Sequence, residues 1–395
     1  MLRFLSSSPG GAELLKRSRE LRDEPAWRVL EQLQRHSNRE RARAAYTVCT
    51  QRRRAADKFG VLHEQLFFDD ESLQMASSLP VARHRACRFV AGVPVVDLCC
   101  GAGGDLIALA ERGPVVGVEH QSERAFMASL NVQTVPEPRA LIVVGDAIAP
   151  PGRGPALFVD PARRAQGRRA RSINDYLPSL SHLDSWRRHF EQVVIKLSPA
   201  VLEIELPAEG ELEFVSWRGQ CREAVLHLGN QDGPRRRASL LLPEKDGRES
   251  PAALYLHSDT DTLPPIEVAT PGAYVYEPDA ALVRSHLLPL LASDLDAWLL
   301  APGVAYLSSD RGSATPWARR FRVMDCLPYS RKSLRRTLTV GGFRPTEILR
   351  RHFPIEPAQL RQRLGRFETS ARPVSLLCTR LEGRPVILIC EPQGE

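Results

Sequence analysis

The chain has 395 residues, which is too long for one typical domain and long enough for two or three domains with their own hydrophobic cores. Its formal net charge is +7, and arginine supplies nearly all of the positive charge. No apolar run approaches the roughly 18 residues of a membrane span, and the apolar part of residues 1–10 is too short for a secretory signal, so we expect a soluble, cytoplasmic protein.

The basic charge and the cysteines indicate which partners and cofactors to expect. An excess of arginine favours a partner that carries phosphate groups, although a bias of the genome towards arginine would give the same composition. The eight cysteines form no Cys-x-x-Cys pair and show no His/Cys spacing of a zinc site. We therefore expect reduced thiols in the core and no bound metal.

Residues 1–90 are predicted to form a helical extension. Residues 11–58 carry apolar residues at spacings of three and four among charged residues, which indicates an amphipathic helical segment. The three arginines at residues 52–54 come near the end of this segment, where they either face solvent or contact a nucleic-acid backbone. A second helix is expected over residues 67–89, and it leads into the first strand.

The run from Val93 to Ala110 combines a buried strand, a glycine-rich turn and the start of a helix. Gly101 and Gly103 allow a tight turn and a close approach of a ligand to the backbone. The turn departs from the dinucleotide fingerprint, because its third glycine is displaced and two acids, Asp97 and Asp105, flank it. We expect these acids to repel a pyrophosphate and to accept a sulfonium that carries an amino-acid ammonium group. A purely structural turn in another α/β domain is the alternative.

Three further strands are predicted to end on acids, at the edge where an open parallel sheet binds its ligand. They cover residues 115–119, 140–147 and 156–160 and end at Glu119, Asp146 and Asp160. An acid such as Glu119, about twenty residues after the turn, would accept both ribose hydroxyls of a nucleoside. For Asp146, a residue that only caps its loop is the alternative to a ligand contact. Asp160 is expected beside the ligand.

The remainder of the chain completes the sheet and adds another domain. A strand is predicted over residues 192–199, and shorter strands follow it. A stretch rich in Pro, Thr and Asp over residues 259–271 has no periodicity and is typical of a linker. Mixed short helices and strands follow and indicate a small α+β domain. We therefore predict an α/β domain over residues 91–260 and an α+β domain over residues 272–395.

With these features in hand, the chain resembles bacterial class I S-adenosylmethionine-dependent methyltransferases that carry a C-terminal THUMP-like domain. Its methyltransferase half is also similar to trimethylguanosine synthase. The resemblance implies a Rossmann-like α/β fold with a seven-stranded class I methyltransferase sheet, an N-terminal helical extension and a small C-terminal α+β domain. It rests on residues 52–59, the D-L-C-C-G-x-G-G-D run at residues 97–105, and residues 159–164, 196–199, 274–282 and 331–351.

The resemblance also implies an enzyme, its cofactor and the residues that bind it. The cofactor would be S-adenosylmethionine, and Asp146 or its neighbouring backbone would meet the adenine amine. The expected cofactor-binding residues are Asp97, Cys99, Gly101, Gly103, Asp105, Glu119 and Asp146.

The expected acceptor site lies at Asp160 and Pro161. Enzymes that methylate exocyclic amines of bases usually carry a polar residue, two prolines and an aromatic residue. Here Ala162 and Arg163 replace the second proline and the aromatic residue, and an arginine plane can also stack on a base. We therefore assign catalytic roles to Asp160, Pro161 and Arg163 in the methylation of a nucleobase amine in RNA. A methyltransferase of small molecules or proteins, and a non-catalytic RNA-binding protein on the same fold, are the alternatives.

Two basic clusters are predicted to bind the RNA backbone. A loop at the mouth of the active site would contribute Arg163, Arg164 and Arg168. One face of a helix would contribute Arg331, Lys332, Arg335 and Arg336, with Arg350 and Arg351 on the next helical stretch. A solvated arginine face is the alternative for both clusters.

Overall fold

A computed structural model describes residues 1–148, 152–162, 164–165, 168–169, 172–229, 233–243, 253–260 and 262–394, with the backbone alone described at 164–165 and 168–169. The chain divides into two compact units. The first unit contains Met1–Glu211, Arg222–Gly233 and Leu241–Ala253, and the second contains Leu212–Cys221, Pro234–Leu240 and Leu254–Glu395. The predicted boundaries at residues 1–90, 91–260 and 272–395 stay a prediction.

The helices and strands follow one another through the chain as follows. The α-helices are α1 (Leu2–Ser7), α2 (Pro9–Glu20), α3 (Ala26–Gln34), α4 (Arg39–Phe59), α5 (Asp70–Met75), α6 (Leu79–Ala86), α7 (Gly104–Ala110), α8 (Ser122–Asn131), α9 (Leu183–His189), α10 (Ala280–Arg284), α11 (Leu288–Asp294), α12 (Arg331–Val340) and α13 (Pro357–Leu364). Short 3-10 helices cover Gly60–Glu64, Val132–Thr134, Ile173–Asp175, Leu180–His182 and Glu203–Glu205. The strands are β1 (Val95–Leu98), β2 (Val115–Glu119), β3 (Ala140–Val144), β4 (Gly154–Val159), β5 (Arg164–Ala165), β6 (Arg168–Arg169), β7 (Phe190–Leu197), β8 (Glu211–Trp217), β9 (Gln220–Leu228), β10 (Arg236–Leu241), β11 (Ala253–Ser258), β12 (Tyr274–Pro278), β13 (Trp298–Ala301), β14 (Val304–Ser309), β15 (Ala318–Pro328), β16 (Phe343–Arg350), β17 (Arg372–Leu381) and β18 (Arg384–Pro392).

The N-terminal part is helical, as predicted, and its helices begin at residues that can cap them. Ser8 accepts a hydrogen bond from the backbone of Gly11 at the start of α2, and Asn38 accepts one from Arg41 at the start of α4. The helix predicted over residues 67–89 is two helices, α5 and α6. Ser78 precedes α6 and Pro80 is its second residue, a sequence that favours a new helix start over the continuation of α5.

The first unit is built around a parallel sheet. Its strands lie in the order β9-β7-β4-β1-β2-β3, in which β7 to β3 are parallel and β9 is antiparallel to β7. Leu98 lies opposite both Val118 and Val159, so β1, β2 and β4 end at one level. The strand order reverses at β1, where chain connections leave to opposite sides and a ligand crevice forms at the carboxyl ends. The predicted Rossmann-like α/β arrangement is therefore present.

The second unit contains β8, most of β10 and β11, and a separate seven-stranded sheet. That sheet has the order β13-β14-β12-β15-β18-β17-β16, with β16 parallel to β17 and its other resolved pairs antiparallel. On one side, α12 and α13 bury Leu334, Leu338 and Leu360 against the sheet. On the other side, Tyr306 and Phe321 lie in a second core.

One sequence prediction in this unit is wrong. Arg350 and Arg351 were expected on a helical stretch, but Arg350 is the last residue of β16. Pro345 and Ile348 are buried on this strand between more exposed charged residues, because pairing with β17 fixes an extended backbone. Across the part of the chain that is described, no helix has the length and apolar content needed to cross a membrane.

Candidate active site

The glycine-rich turn between β1 and α7 has the backbone conformation that its glycines permit. Gly101 has φ +55° and Gly103 has φ +83°, both in the left-handed region that favours glycine. A Cβ atom on Gly103 would lie 3.0 Å from the Cα atom of Ala128, so this glycine allows α7 and α8 to pack closely. A Cβ atom on Gly101 would meet nothing within 4 Å. The turn therefore leaves open space at Gly101, where a ligand can approach the backbone.

Glu119 lies at the end of β2, directly beside this turn. Its side chain is buried, with Oε2 accepting from the backbone of Gly101 at 3.0 Å and Oε1 accepting from that of Gln121 at 2.8 Å. The Nδ1 atom of His120 lies 2.9 Å from Oε1. A carboxylate oxygen has two lone pairs, so Oε2, with one partner, can still accept a hydroxyl. The position of Glu119 is therefore compatible with its predicted ribose-binding role.

Asn131 supports the turn from behind and was not predicted. Its buried side chain accepts from the backbone of Phe67 at 2.7 Å and donates to the carbonyl oxygens of Phe67 and Ala102, both at 2.8 Å. One amide therefore joins the segment before α5 to the glycine-rich turn. Nothing in the local sequence distinguishes Asn131 from an ordinary helix end.

Asp97 is inside β1 and fully buried, and neither of its carboxylate oxygens has a hydrogen-bond partner among the described residues. Burial raises the pKa of Asp97 well above its ordinary value, and the charges of Asp105 and Asp160 raise it further. Burial therefore favours the neutral form of Asp97. This burial argues against the negative charge that we expected at Asp97, and its role in cofactor binding stays a prediction.

Asp105, at the start of α7, belongs to a buried ion network. Arg85 from α6 pairs with Asp105 and with Glu223, and the Nζ atom of Lys196 lies 3.6 Å from Oδ2 of Asp105. Burial acts to raise the pKa of Asp105, but Arg85 and Lys196 outweigh it and the pKa is lowered. The charge predicted for Asp105 is therefore present but compensated, so the turn is less negative than its sequence indicates.

Asp160 follows β4 at the same edge of the sheet. Its backbone N–H donates to the carbonyl oxygen of Leu98 at 3.3 Å, which fixes it beside the end of β1. Its Oδ2 atom accepts from Lys196 at 2.6 Å, and 23% of the side chain is exposed. Burial acts to lower the pKa of Lys196, but Asp160 and Asp105 outweigh it and the pKa is raised. Asp160 is therefore a carboxylate held by an ammonium group and still accessible.

The segment after Asp160 is fastened to a later part of the chain. Pro161 is buried, and Ala162 exchanges two backbone hydrogen bonds with Leu177, at 2.8 and 3.1 Å. Arg163 lies outside the described residues, and the side chains of Arg164 and Arg168 do as well. Their catalytic and RNA-binding roles stay predictions.

Two other predicted cofactor residues occupy less enclosed positions. Asp146 is exposed and its Oδ1 atom accepts from the backbone of Ile148 at 3.0 Å, the loop-capping geometry that was the alternative for this residue. Cys99 has φ +65° and is half-buried, and burial raises the pKa of its thiol. Among the other predicted site residues, Glu119 is hydrogen-bonded to Gly101 of the turn, and Lys196 contacts both Asp105 and Asp160. These contacts bring the glycine-rich turn, Glu119, Asp105 and Asp160 together.

Lys58 at the end of α4 is a further residue near this site. It donates to the carbonyl oxygens of Leu73, Gln74 and Ala76 at 2.7, 3.0 and 2.7 Å. Burial lowers the pKa of Lys58 to about 8, and the charges of Lys196 and Arg222 contribute to the lowering. Lysine is rare in this arginine-rich chain, and that rarity is a signal that could have marked Lys58 and Lys196 from the sequence.

The predicted RNA-binding residues of the second unit lie on a helix, as expected. The exposed residues of α12 include Arg331, Lys332, Arg335 and Arg336. Arg335 differs from the others because it donates to the carbonyl of Leu364 and lies 5.7 Å from the ring centroid of Phe367. Outside this helix, Arg350 pairs with Glu356. Their RNA-binding roles stay predictions.

Comparisons with known proteins agree with this architecture. Residues 318–392 match the THUMP domain-like family. An uncharacterized S-adenosylmethionine-dependent methyltransferase of Mycobacterium tuberculosis is 37% identical over 343 residues, which cover 84% of this chain and 90% of that protein, and the match is the same in strains H37Rv and CDC 1551. A crystal structure from Porphyromonas gingivalis W83, of a protein described only provisionally as a methyltransferase, superposes with a TM-score of 0.75 at 22% identity and covers 97% of this chain and 99% of that one.

The comparisons confirm the predicted C-terminal THUMP-like domain and the class I methyltransferase fold. The similarity of the methyltransferase half to trimethylguanosine synthase stays a prediction.

Proposed function

Because the chain belongs to the family of S-adenosylmethionine-dependent methyltransferases, we propose that it methylates an exocyclic amine of a nucleobase in RNA. The enzyme class and the cofactor follow from the family, whereas the RNA base is the proposal. The observation that supports it best is the position of Asp160, which ends β4 beside the glycine-rich turn and is accessible.

The described residues fit S-adenosylmethionine. Open space at Gly101 admits a ligand to the backbone of the turn, and Oε2 of Glu119 retains a lone pair for a ribose hydroxyl. Asp146 is exposed at the end of the next strand, where it is available to the adenine. When bound, this cofactor supplies an electrophilic methyl group.

Asp160 has the geometry to orient an amine. Lys196 occupies Oδ2, and among the residues that are described no donor contacts Oδ1. Oδ1 is therefore available to accept an N–H of the amine, which aims the nitrogen lone pair away from the carboxylate. The same oxygen can hold the proton that the amine loses. Orientation of this kind is a large part of what a methyltransferase contributes, because the transfer needs chiefly proximity and alignment.

RNA is favoured over a small molecule or a protein as the substrate by two features. Residues 318–392 match a THUMP domain-like family, and Lys332 and Arg336 are exposed on α12 in the same part of the chain. Exposed cations on one helix face suit a phosphate backbone.

The test is the transfer of labelled methyl groups from S-adenosylmethionine to total RNA, with RNase-treated RNA and total protein as controls. Asp160→Asn removes the carboxylate and should lower turnover by about 10²- to 10⁴-fold, the range for loss of a positioned acid–base group. Its affinity for S-adenosylmethionine should stay within about twofold of wild type. Asp184→Asn, at an exposed position of α9, is the matched control and should retain full turnover. Labelling of protein and not of RNA would contradict the proposal.

A further inference from the structure

The N-terminal helices enclose a cavity that the proposed reaction does not use. It has a volume of about 770 Å³, within the range of ligand-binding pockets. Its walls come from α1 to α4, the residues between α2 and α3, and the segment that follows α4, all within residues 5–67. The residues of the glycine-rich turn and Asp160 are not among them, so this cavity is a site of its own.

The cavity carries more positive than negative charge. Its lining includes five cations and three acids, namely Lys16, Arg19, Arg22, Arg52 and Arg53 against Asp23, Glu24 and Glu64. Two of these acids are already engaged by cations of the cavity, Glu64 by Arg19 at 3.0 Å and Asp23 by Arg22 at 3.7 Å. The remaining positive charge favours an anionic ligand.

Arg52 and Arg53 are held in place without an ion pair to any described carboxylate. Arg52 donates to the carbonyl oxygens of Leu66 and Gln65 at 3.0 and 3.3 Å, and Arg53 donates to that of Arg22 at 2.9 Å. Carbonyl oxygens fix the guanidinium groups but do not neutralise them. A phosphate would supply the missing charge and accept two hydrogen bonds from one guanidinium.

Aromatic side chains lie next to these cations. The guanidinium carbon of Arg52 is 4.7 Å from the ring centroid of Phe67, and Tyr46 and His63 also line the cavity. Arginine planes and aromatic rings are the surfaces on which unstacked nucleobases lie. The cavity therefore offers what a nucleotide needs, which is cations for its phosphate and aromatic side chains for its base.

The cavity is also connected to the glycine-rich turn. Phe67 lines the cavity, and its backbone is bonded on both sides by Asn131, which donates to Ala102 of the turn as well. A nucleotide held in this cavity is therefore at a fixed position relative to the site of methyl transfer.

We propose that this cavity binds one nucleotide of the RNA substrate, separate from the base that is methylated. The proposal rests on RNA as the substrate of the methyl transfer. The bound nucleotide would fix which base of the RNA reaches Asp160, so the cavity contributes to the choice of substrate.

Steady-state kinetics with methyl-accepting RNA tests this site. Lys16→Glu combined with Arg53→Glu reverses two charges of the cavity and should raise KM for RNA at least tenfold. Turnover at saturating RNA and the affinity for S-adenosylmethionine should be unchanged, because neither residue contacts the glycine-rich turn. Arg39→Glu combined with Arg43→Glu reverses two exposed charges of α4 outside the cavity and should leave KM unchanged. An unchanged KM in the cavity variant would overturn the cavity proposal while RNA methylation stands.

Crosslinking separates this proposal from the proposed function. RNA substituted with 4-thiouridine is irradiated with the full-length wild-type protein, and the adducts are located by mass spectrometry. Adducts at residues lining the cavity, such as Tyr46 or His63, are expected, and they should be lost in the cavity variant. Adducts confined to other regions would overturn the cavity site. Failure of the wild-type protein to methylate RNA would instead refute the proposed function, whatever the crosslinks show.

Discussion

Asp97 shows how burial can favour the neutral form of a side chain whose place in the sequence suggests a negative charge. An acid at the end of the first strand looks like a negative charge offered to a ligand, but this one is fully buried without a described hydrogen-bond partner. The charged forms of Asp105 and Asp160 nearby add to the cost of ionising it. The folded state therefore favours the protonated form of this acid.

A pH dependence of stability follows from this buried proton. The pKa of Asp97 is higher in the folded state than in the unfolded state, so unfolding releases a proton between the two pKa values and stability falls as pH rises in that window. Asp97→Asn removes the titration. Its free energy of unfolding relative to wild type should rise by about 1.4 kcal/mol per pH unit above pH 5, up to the folded-state pKa. Urea denaturation of both proteins without cofactor at pH 5, 6 and 7 measures this. Parallel dependences on pH would contradict a raised pKa.

The sequence identified the acids at the strand ends but not the cations that hold them. Glu119 and Asp160 follow from the rule that parallel strands deliver ligands at their carboxyl ends, and Asp105 follows from its place at the start of the helix after the turn. Arg85 and Lys196 reach the same place from distant parts of the chain, and no local pattern shows that pairing. Whether an acid such as Asp97 is charged depends on its burial and partners, which are tertiary properties.

At the scale of the elements, the two glycines of the glycine-rich turn share a left-handed backbone but differ in their surroundings. Gly101 and Gly103 both have positive φ, but only Gly103 faces a backbone neighbour at 3.0 Å. The two glycines therefore serve different purposes, one towards the ligand and one towards α8.

Alanine substitutions test this division. Gly101→Ala should cost about 1–2 kcal/mol of stability for the left-handed backbone and lower the affinity for S-adenosylmethionine at least tenfold, because its methyl group enters the open space. Gly103→Ala should lower stability further, because α7 and α8 must separate. Gly92→Ala is the control, with φ +83° and nothing within 4 Å, and should cost similar stability with unchanged cofactor affinity. Thermal denaturation and calorimetry give the two quantities, and equal cofactor affinity in the Gly101 and Gly92 variants would remove Gly101 from the site.

Strands were predicted best where apolar residues follow one another in the sequence. The strand Val115–Glu119 was predicted with its bounds, and the strand Val95–Leu98 was placed within the run from Val93 to Ala110. β16 was missed because arginine and proline interrupt its alternation, and only its pairing with β17 makes it a strand. The break between α5 and α6 was missed because helix-favouring residues lie on both sides of it.

Across the whole molecule, some of the positively charged side chains are paired with acids, and others are free to contact a phosphate. Many arginines are paired with acids, as Arg372 is with Glu391. Arg335 on α12 is directed to Leu364 and Phe367. Lys332 and Arg336 are exposed, and no ion pair involving them is present among the described side chains. Arg331 is exposed too and has no ion pair among the described side chains, so these three are the ones we expect to contact phosphates.

The salt dependence of RNA binding tests this expectation. Lys332→Gln combined with Arg336→Gln removes two phosphate contacts from the full-length protein. The slope of log affinity against log salt should become shallower by about 1.4–1.8, since each neutralised phosphate contributes about 0.7–0.9. Arg319→Gln combined with Arg372→Gln removes the same charge from other exposed positions of the second unit and should preserve the slope, because both arginines are already paired with glutamates. Filter binding at a series of salt concentrations gives both slopes. If the two variants changed the slope equally, RNA binding would reflect total charge and not α12.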